Sequence, residues 1–559
     1  MADLESCLTA YNLLCKIREN DAYSNLLVPA SLKAGNFSTR EKGFITDCVY
    51  GTLRWQGFAD AVISAACKRD KSKISADVLD ILRLGTYRTL FTSEKTYAVV
   101  NSSVEIAKKR TGRGSAGFVN AVMRKIALRS RKEWESLLTS RIAKNCTDKR
   151  LAVRASHPEW IVEELRKSYE KAGYDWEKIR KTREKSELGQ VSADSSGKSV
   201  AGGSVADEPV AAVPIAADMT SAVPISADPI AAMLEADNAA PSVTLCARPG
   251  LAEPDEILEN MPKNVLCERG KYSPYALKIK KGGVNAIEAV KKGLAGVEDE
   301  GSQIAALALV NAPVEVLVNV PVNAPVSAPV NAPIEVSEKA AGISIKAAKI
   351  EASESSKALK ISEKWLDMCA GPGGKTALLG ACAAQRNATL TANEPSEHRA
   401  KLVRENCSAL PAGTLEKVYE RDGRELGRMF PETFDRILVD APCSGLGSLR
   451  RRAEARWRKN RSDIKQLAEI QRGLLLSAAG AVRKGGVIAY VTCSPALAET
   501  REIVDYALAE RSDLQRLDAA AVIRGFAPDI PLPDFGGDVQ LFEHIHDTDQ
   551  MFVALLRKK

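Results

Sequence analysis

The sequence predicts a carboxyl-terminal α/β domain on a doubly wound, mainly parallel sheet, behind an all-helical bundle and a small α+β subdomain. Three observations carry this expectation. Past Lys364, short apolar segments alternate with helical ones. From Leu4 to Leu138 apolar residues recur at three and four, and no proline falls between Pro29 and Pro158. Between these regions the composition changes abruptly twice. A chain of 559 residues exceeds the roughly 100–200 of a single domain. The expected parts are a helical bundle (1–150), a helical linker (151–186), a disordered Ala/Pro/Ser-rich insertion (187–232), the small subdomain (233–309), a flexible Pro/Val/Ala-rich insertion (310–360) and the α/β domain (361–559).

In the bundle, Val78, Ile81, Leu82 and Leu84 mark one apolar face. Its later part is basic: Lys108, Lys109, Arg110, Arg113, Arg124, Lys125, Arg129, Arg131 and Lys132. Such a run marks either a solvated face or a nucleic-acid contact. The first insertion carries the near-repeats VPIAAD (213–218) and VPISAD (223–228). The second places prolines at 321, 325, 329 and 333, a spacing that rules out a helix or a central strand. Between the insertions, SVTLCARPG reads as a strand entering a turn and EDEGSQIAALALV as a helix. In the last region WLDM, TLTANE, FDRILVD and GGVIAYVTCS read as strands. TALLGACAA, HRAKLVRENCSAL and IQRGLLLSAAGAV read as helices.

The net charge of +8 leans towards a polyanionic partner. Twelve cysteines and four histidines occur, with no CxxC spacing; a zinc ribbon is disfavoured, no metal is expected, and a reducing cytoplasm is the expected compartment. The start, with Asp3 and Glu5, does not read as a secretory signal. No uninterrupted run of about 18 apolar residues predicts a membrane span.

Unusual residues cluster where strands should end. The first strand of the last region runs into Asp367-Met368-Cys369-Ala370-Gly371-Pro372-Gly373-Gly374-Lys375-Thr376. Its glycines allow close backbone approach to a ligand, and the helix that follows points its amino terminus there. Glu394 ends the second strand, a spacing that suits a ribose diol. Asp422 stands where the third should end and could accept from an adenine amine. Asp440 ends the fourth. The spacing is not that of a phosphate-binding P-loop. An adenosine ligand without a polyphosphate, such as S-adenosylmethionine, fits these acids better. Two cysteines, Cys443 in DAPCSG and Cys493 in VTCSP, lie just beyond two strands. One strand cysteine is usually core filling; two at functional ends suggest thiol chemistry. After Cys443 come Arg450, Arg451, Arg452, Arg456, Trp457, Arg458, Lys459 and Arg461, expected to contact phosphates.

Taken together, DMCAGPGGKT, DAPCSG followed by LRRRAEARWRK, and VTCS resemble the Sun/RsmB family of bacterial RNA cytosine-C5 methyltransferases. The bundle resembles that family's NusB-like RNA-binding domain. SHPEWIV, NAAPSVTLCARPG, YSPYAL, GVEDEGSQIAALAL and HIHDTDQMFVALLRKK resemble further family segments; the two insertions have no counterpart. The resemblance implies a Rossmann-like domain that takes S-adenosylmethionine and a substrate in 16S ribosomal RNA. It implies that Cys493 is the nucleophile and that Cys443 assists product release. Cofactor contacts carry over to Cys369, Ala370, Gly371, Pro372, Gly373, Gly374, Lys375, Glu394, Asp422 and Asp440. Glu394 is a departure, because aspartate is common there. A monomer without metal or membrane contact is expected. A transfer-RNA cytosine methyltransferase and a non-catalytic RNA-binding assembly factor are the alternatives.

Overall fold

The computed structural model describes residues 4–20, 22–183, 226–315, 362–533 and 537–559. Most of the two proline-rich insertions lies outside these residues. The first insertion's end is described, and there the extended reading stops. Asp228 accepts from the Ile230 amide and Pro229 opens a helix, Pro229–Asn238; proline suits the first helical turn because no amide is lost there.

The bundle begins with helices Leu4–Glu19, Ser24–Ala34, Thr39–Arg54, Gln56–Cys67, Ala76–Phe91, Thr96–Arg110 and Arg113–Ile126. Their apolar faces close one core through residues such as Cys7, Ile45, Phe58, Leu82 and Val119. Ser38 with Glu41 and Ser130 with Glu133 form reciprocal caps that set two helix starts. Helices Thr147–Arg154 and Glu159–Ala172 lead away from it.

Four short strands follow: β1 (Val243–Ala247), β2 (Leu266–Arg269), β3 (Ala276–Lys281) and β4 (Ala295–Val297). They form an antiparallel sheet in the order β2-β3-β1-β4. Helix Glu300–Asn311, capped by Asp299, leaves this sheet and packs mainly on the larger one.

The larger sheet holds β5 (Lys364–Asp367), β6 (Thr389–Asn393), β7 (Leu415–Tyr419), β8 (Phe434–Asp440), β9 (Val482–Thr492), β10 (Leu514–Leu517), β11 (Val539–Gln540) and β12 (Phe552–Lys558). Its order is β10-β12-β9-β8-β5-β6-β7, with β11 paired to β12. Strands β5 to β9 run parallel, whereas β10, β11 and β12 pair antiparallel. The α/β expectation holds, with an antiparallel edge. Strand β9 shows why its sequence is apolar throughout. Val487, Ala489 and Val491 face one helical layer, and Ile488 and Tyr490 face the other. Strand order reverses between β5 and β8, which opens a crevice at their carboxyl ends.

Candidate active site

The loop after β5 lies at this switch point. Gly373 has φ of +110° and precedes helix Gly374–Gln385; a side chain on it would come within 2.9 Å of the Val403 Cα. Buried Glu394 braces the loop from below, accepting from the amides of Gly371 (3.1 Å) and Ser396 (3.0 Å). Thr376 donates to Asp367 (2.8 Å). Burial raises the Asp367 carboxyl to a pKa of about 7. Burial also raises the Cys369 thiol, and the carboxylates of Asp367, Asp440 and Glu394 add to the effect.

Lys375 reaches back from the helix to Asp440 (2.9 Å) and Ser302 (3.2 Å). Burial lowers the pKa of its ammonium, but Asp440 and Glu298 outweigh it and hold the charge. Asp422 sits beyond β7, partly exposed. Both its oxygens accept from Arg424, which lowers its pKa. It therefore shares the strand-end face while its carboxylate is turned to its own neighbour.

Strands β8 and β9 are adjacent and parallel, with Asp440 opposite Val491. The residues just beyond them meet: the sulfurs of Cys443 and Cys493 are 3.3 Å apart. The Gly447 amide donates to the Cys493 carbonyl (2.9 Å), stitching the two loops together. The thiols are unequal. A hydrogen bond from Cys443 lowers the pKa of Cys493; Arg452 and Lys375 lower it further, against burial and Asp440. Cys443 is pushed well up by that bond, by burial and by the charges of Cys493 and Glu499. Of the two, Cys493 is therefore the more acidic thiol.

The arginine run after Cys443 differs from the sequence expectation. Arg450 and Arg451 both pair with Asp299 and Asp549. Arg456 is fully buried; it donates to the Arg54, Ser156 and Asp237 carbonyls and to the Asn238 amide oxygen (2.7 Å). Arg458 donates to the carbonyls of Ile17 and Ala22, Trp457 to that of Leu53, and Arg461 pairs with Glu163. These side chains tie the bundle and its following helices to the α/β domain, so they are committed to protein partners. Arg452 is exposed and lies over the Tyr23 ring at 5.4 Å. In the bundle, Arg131 lies over Trp55 and Phe91, whereas Lys108, Lys109, Arg110, Arg113, Arg124 and Lys125 are exposed.

Three residues escaped sequence reasoning. Asn393 donates to the Met368 and Arg421 carbonyls, joining two strand ends. Arg248 crosses from the small sheet to the Gly374 carbonyl (3.2 Å). Glu499 is fully buried beneath the two cysteines; its only signal was an acid in an otherwise apolar stretch after Cys493. Among the described residues no cluster suits a metal ion, and no helix is long and apolar enough to cross a membrane.

Comparison with known proteins decides the family. Residues 357–557 match the family described as 16S rRNA methyltransferase RsmB/F, and residues 7–128 match the NusB family. A protein of Mycobacterium tuberculosis H37Rv, named only as a methyltransferase, is 36% identical over 98% of this chain and 95% of its own. The chain belongs to the RsmB/F methyltransferase family. Ribosomal RNA small subunit methyltransferase B of Bacillus subtilis is 27% identical, covering 98% of both chains. The solved structure of PH0851 shares the fold, with a TM-score of 0.66 and 18% identity over 99% of this chain and 98% of that one. This RsmB/F member is thus an S-adenosylmethionine-dependent RNA methyltransferase.

Proposed function

We propose that this RsmB/F member methylates carbon 5 of a cytosine in 16S ribosomal RNA through a covalent bond between Cys493 and carbon 6. The contact of two unequal thiols at 3.3 Å, beside the cofactor loop, carries the reading. The loop fits a sulfonium-bearing adenosine better than a polyphosphate. Carboxylates of Asp367, Glu394 and Asp440 surround it, and Lys375 is already neutralised by Asp440. The backbone from Cys369 to Lys375, with Glu394, Asp422 and Asp440, would hold the cofactor. Bound S-adenosylmethionine supplies an electrophilic methyl group.

Carbon 5 of cytosine is too electron-poor to take that methyl unaided. The Cys493 thiolate bonds to carbon 6, and the displaced electron pair makes carbon 5 nucleophilic. Asp440 hydrogen-bonds the polar edge of the base, which must be unstacked to enter. After transfer, carbon 5 carries both the methyl and its original proton. Removing that proton restores the double bond and expels Cys493 as thiolate. Cys443 serves as the base. While Cys493 is ionised, its charge and hydrogen bond keep Cys443 protonated. Once Cys493 is a thioether both effects vanish, Cys443 loses its proton to solvent more readily, and its thiolate can take the one on carbon 5. One proton is released per methyl. Cysteines and cofactor loop lie in one chain, which fits a monomer, and reduced thiols fit the cytoplasm.

The test is methyl transfer from labelled cofactor to undermethylated small-subunit RNA, with transfer RNA alongside. Wild type should label a cytosine of the ribosomal RNA. Labelling of transfer RNA alone would reassign the substrate. RNA binding without labelling of either would favour an assembly factor.

A further inference from the structure

We propose that Glu499 is a positioning residue that clamps the two cysteine loops together and sets a carboxylate beside Cys443, leaving Cys493 the more reactive thiol. This rests on the thiol mechanism above. Ser444 and Ser494 directly follow the two cysteines, and each sends its side chain to the same carboxylate. Glu499 Oε1 accepts from the Ser444 amide (2.7 Å) and Gln471 Nε2 (3.3 Å). Its Oε2 accepts from the Ser444 hydroxyl (2.5 Å) and the Ser494 hydroxyl (2.6 Å). Gln471 also donates to the Pro442 carbonyl, just before Cys443 (2.8 Å). Tyr490, on β9, donates to the Glu499 backbone carbonyl (2.8 Å). Glu499 and Ser494 are fully buried, and Ser444 is 3% exposed.

A structural role alone would not require a charge here. Four donors converge on one carboxylate away from water. Two of its bonds go to the residue beside Cys443, so its negative charge bears on that thiol. Cys493 is faced instead by Arg452 and Lys375, with Asp440 opposing them. The clamp thus sets the separation of the sulfurs and opposes ionisation of Cys443 in the resting pair. A displacement of about 1 Å at reacting groups can lower a rate about a hundredfold.

The decisive experiment is alkylation of the full-length, RNA-free protein with iodoacetamide at neutral pH, with both cysteines quantified by peptide mass mapping. Wild type should react at Cys493 in preference to Cys443. Glu499→Gln keeps the size and removes the charge; it should shift that ratio towards Cys443 about tenfold, the effect of about one pKa unit. It should also lower kcat about a hundredfold, with KM for RNA within about twofold. Glu499→Asp should recover part of both. Should Glu499→Gln fail to fold, Ser444→Ala and Ser494→Ala each remove one arm and should each shift the ratio part-way. An unchanged ratio in the folded variants, or a rate that falls only with the melting temperature, overturns the proposal. The ratio is read without RNA. Failure of wild type to methylate any RNA would therefore sink the thiol mechanism while leaving the clamp separately measured.

Discussion

The Cys443 and Cys493 loops begin alike, each just past the end of a parallel strand, yet they are anchored differently. The Cys493 loop is a short turn that passes at once into helix Arg501–Glu510. Its carbonyl is held by Gly447 of the other loop, and Ser494 is held by Glu499. The Cys443 loop continues through Arg450 to Arg461 and grips the bundle. Glu454 there accepts from the amide (3.0 Å) and hydroxyl (2.8 Å) of Ser24. The loop of the less acidic thiol is the one wired to the remote domain; the loop of the more acidic thiol is fixed by its immediate neighbours. The Cys493 loop is coupled to the bundle through the Cys443 loop, whose geometry depends on how the domains dock.

The largest effect should separate the two thiols. Cys493→Ala should lower methyl transfer by about 10³ or more, since loss of a covalent nucleophile removes the mechanism's first step. Cys443→Ala should also be inactive in turnover, but it should accumulate a protein–RNA adduct that survives denaturing electrophoresis. An adduct in Cys493→Ala and none in Cys443→Ala would invert the two roles.

Next in size is the anchor of the Cys443 loop. Arg456→Met removes a buried guanidinium and leaves carbonyls of Arg54, Ser156 and Asp237 without that donor. Each buried unsatisfied group costs about 1–3 kcal/mol. Urea denaturation should therefore show a loss of about 3 kcal/mol or more. Cys493 alkylation in the folded protein should change little, because Glu499 and Gly447 still hold the two cysteine loops together. A large change would dissolve the distinction between the loops.

The larger sheet and the cysteines were legible because their signals are local. Apolar runs bounded by glycines and acids mark strands β5, β6, β8 and β9, and DAPCSG and VTCSP fall at their ends. The arginine run was not legible. A string of cations reads as a phosphate surface until its acids are found, and Asp299, Asp547 and Asp549 come from segments far away in the chain. Topology, rather than composition, decides that they meet. Glu499 was missed for the complementary reason. A single acid carries no pattern, and its meaning lies in Ser444, which an adjacent strand brings to it. Asp422 was placed by strand order, but its pairing with Arg424 depends on local turn geometry that spacing does not encode.

A subtler difference between the thiols is their titration. With Cys493 held below the ordinary thiol range by Cys443, Arg452 and Lys375, single-turnover methylation should fall as pH drops through a midpoint below about 8.5. A midpoint above that value would place the reactive thiolate elsewhere.

The smallest predicted effect isolates one cation. Arg452 is exposed and makes its described ring contact with Tyr23 of the bundle, yet its charge acts on Cys493. Removing a positive charge near a thiolate raises the thiol pKa, so Arg452→Ala should move the acidic limb to higher pH. Because solvent screens an exposed charge, the move should be under about one unit. Salt supplies the internal control. At about 1 M ionic strength the screening length shrinks to about 3 Å, and wild type and variant should converge on the same midpoint. If the difference instead persists in high salt, Arg452 acts through its stacking on Tyr23 and the docking of the bundle. The remote domain would then tune the Cys493 loop as well as the Cys443 loop.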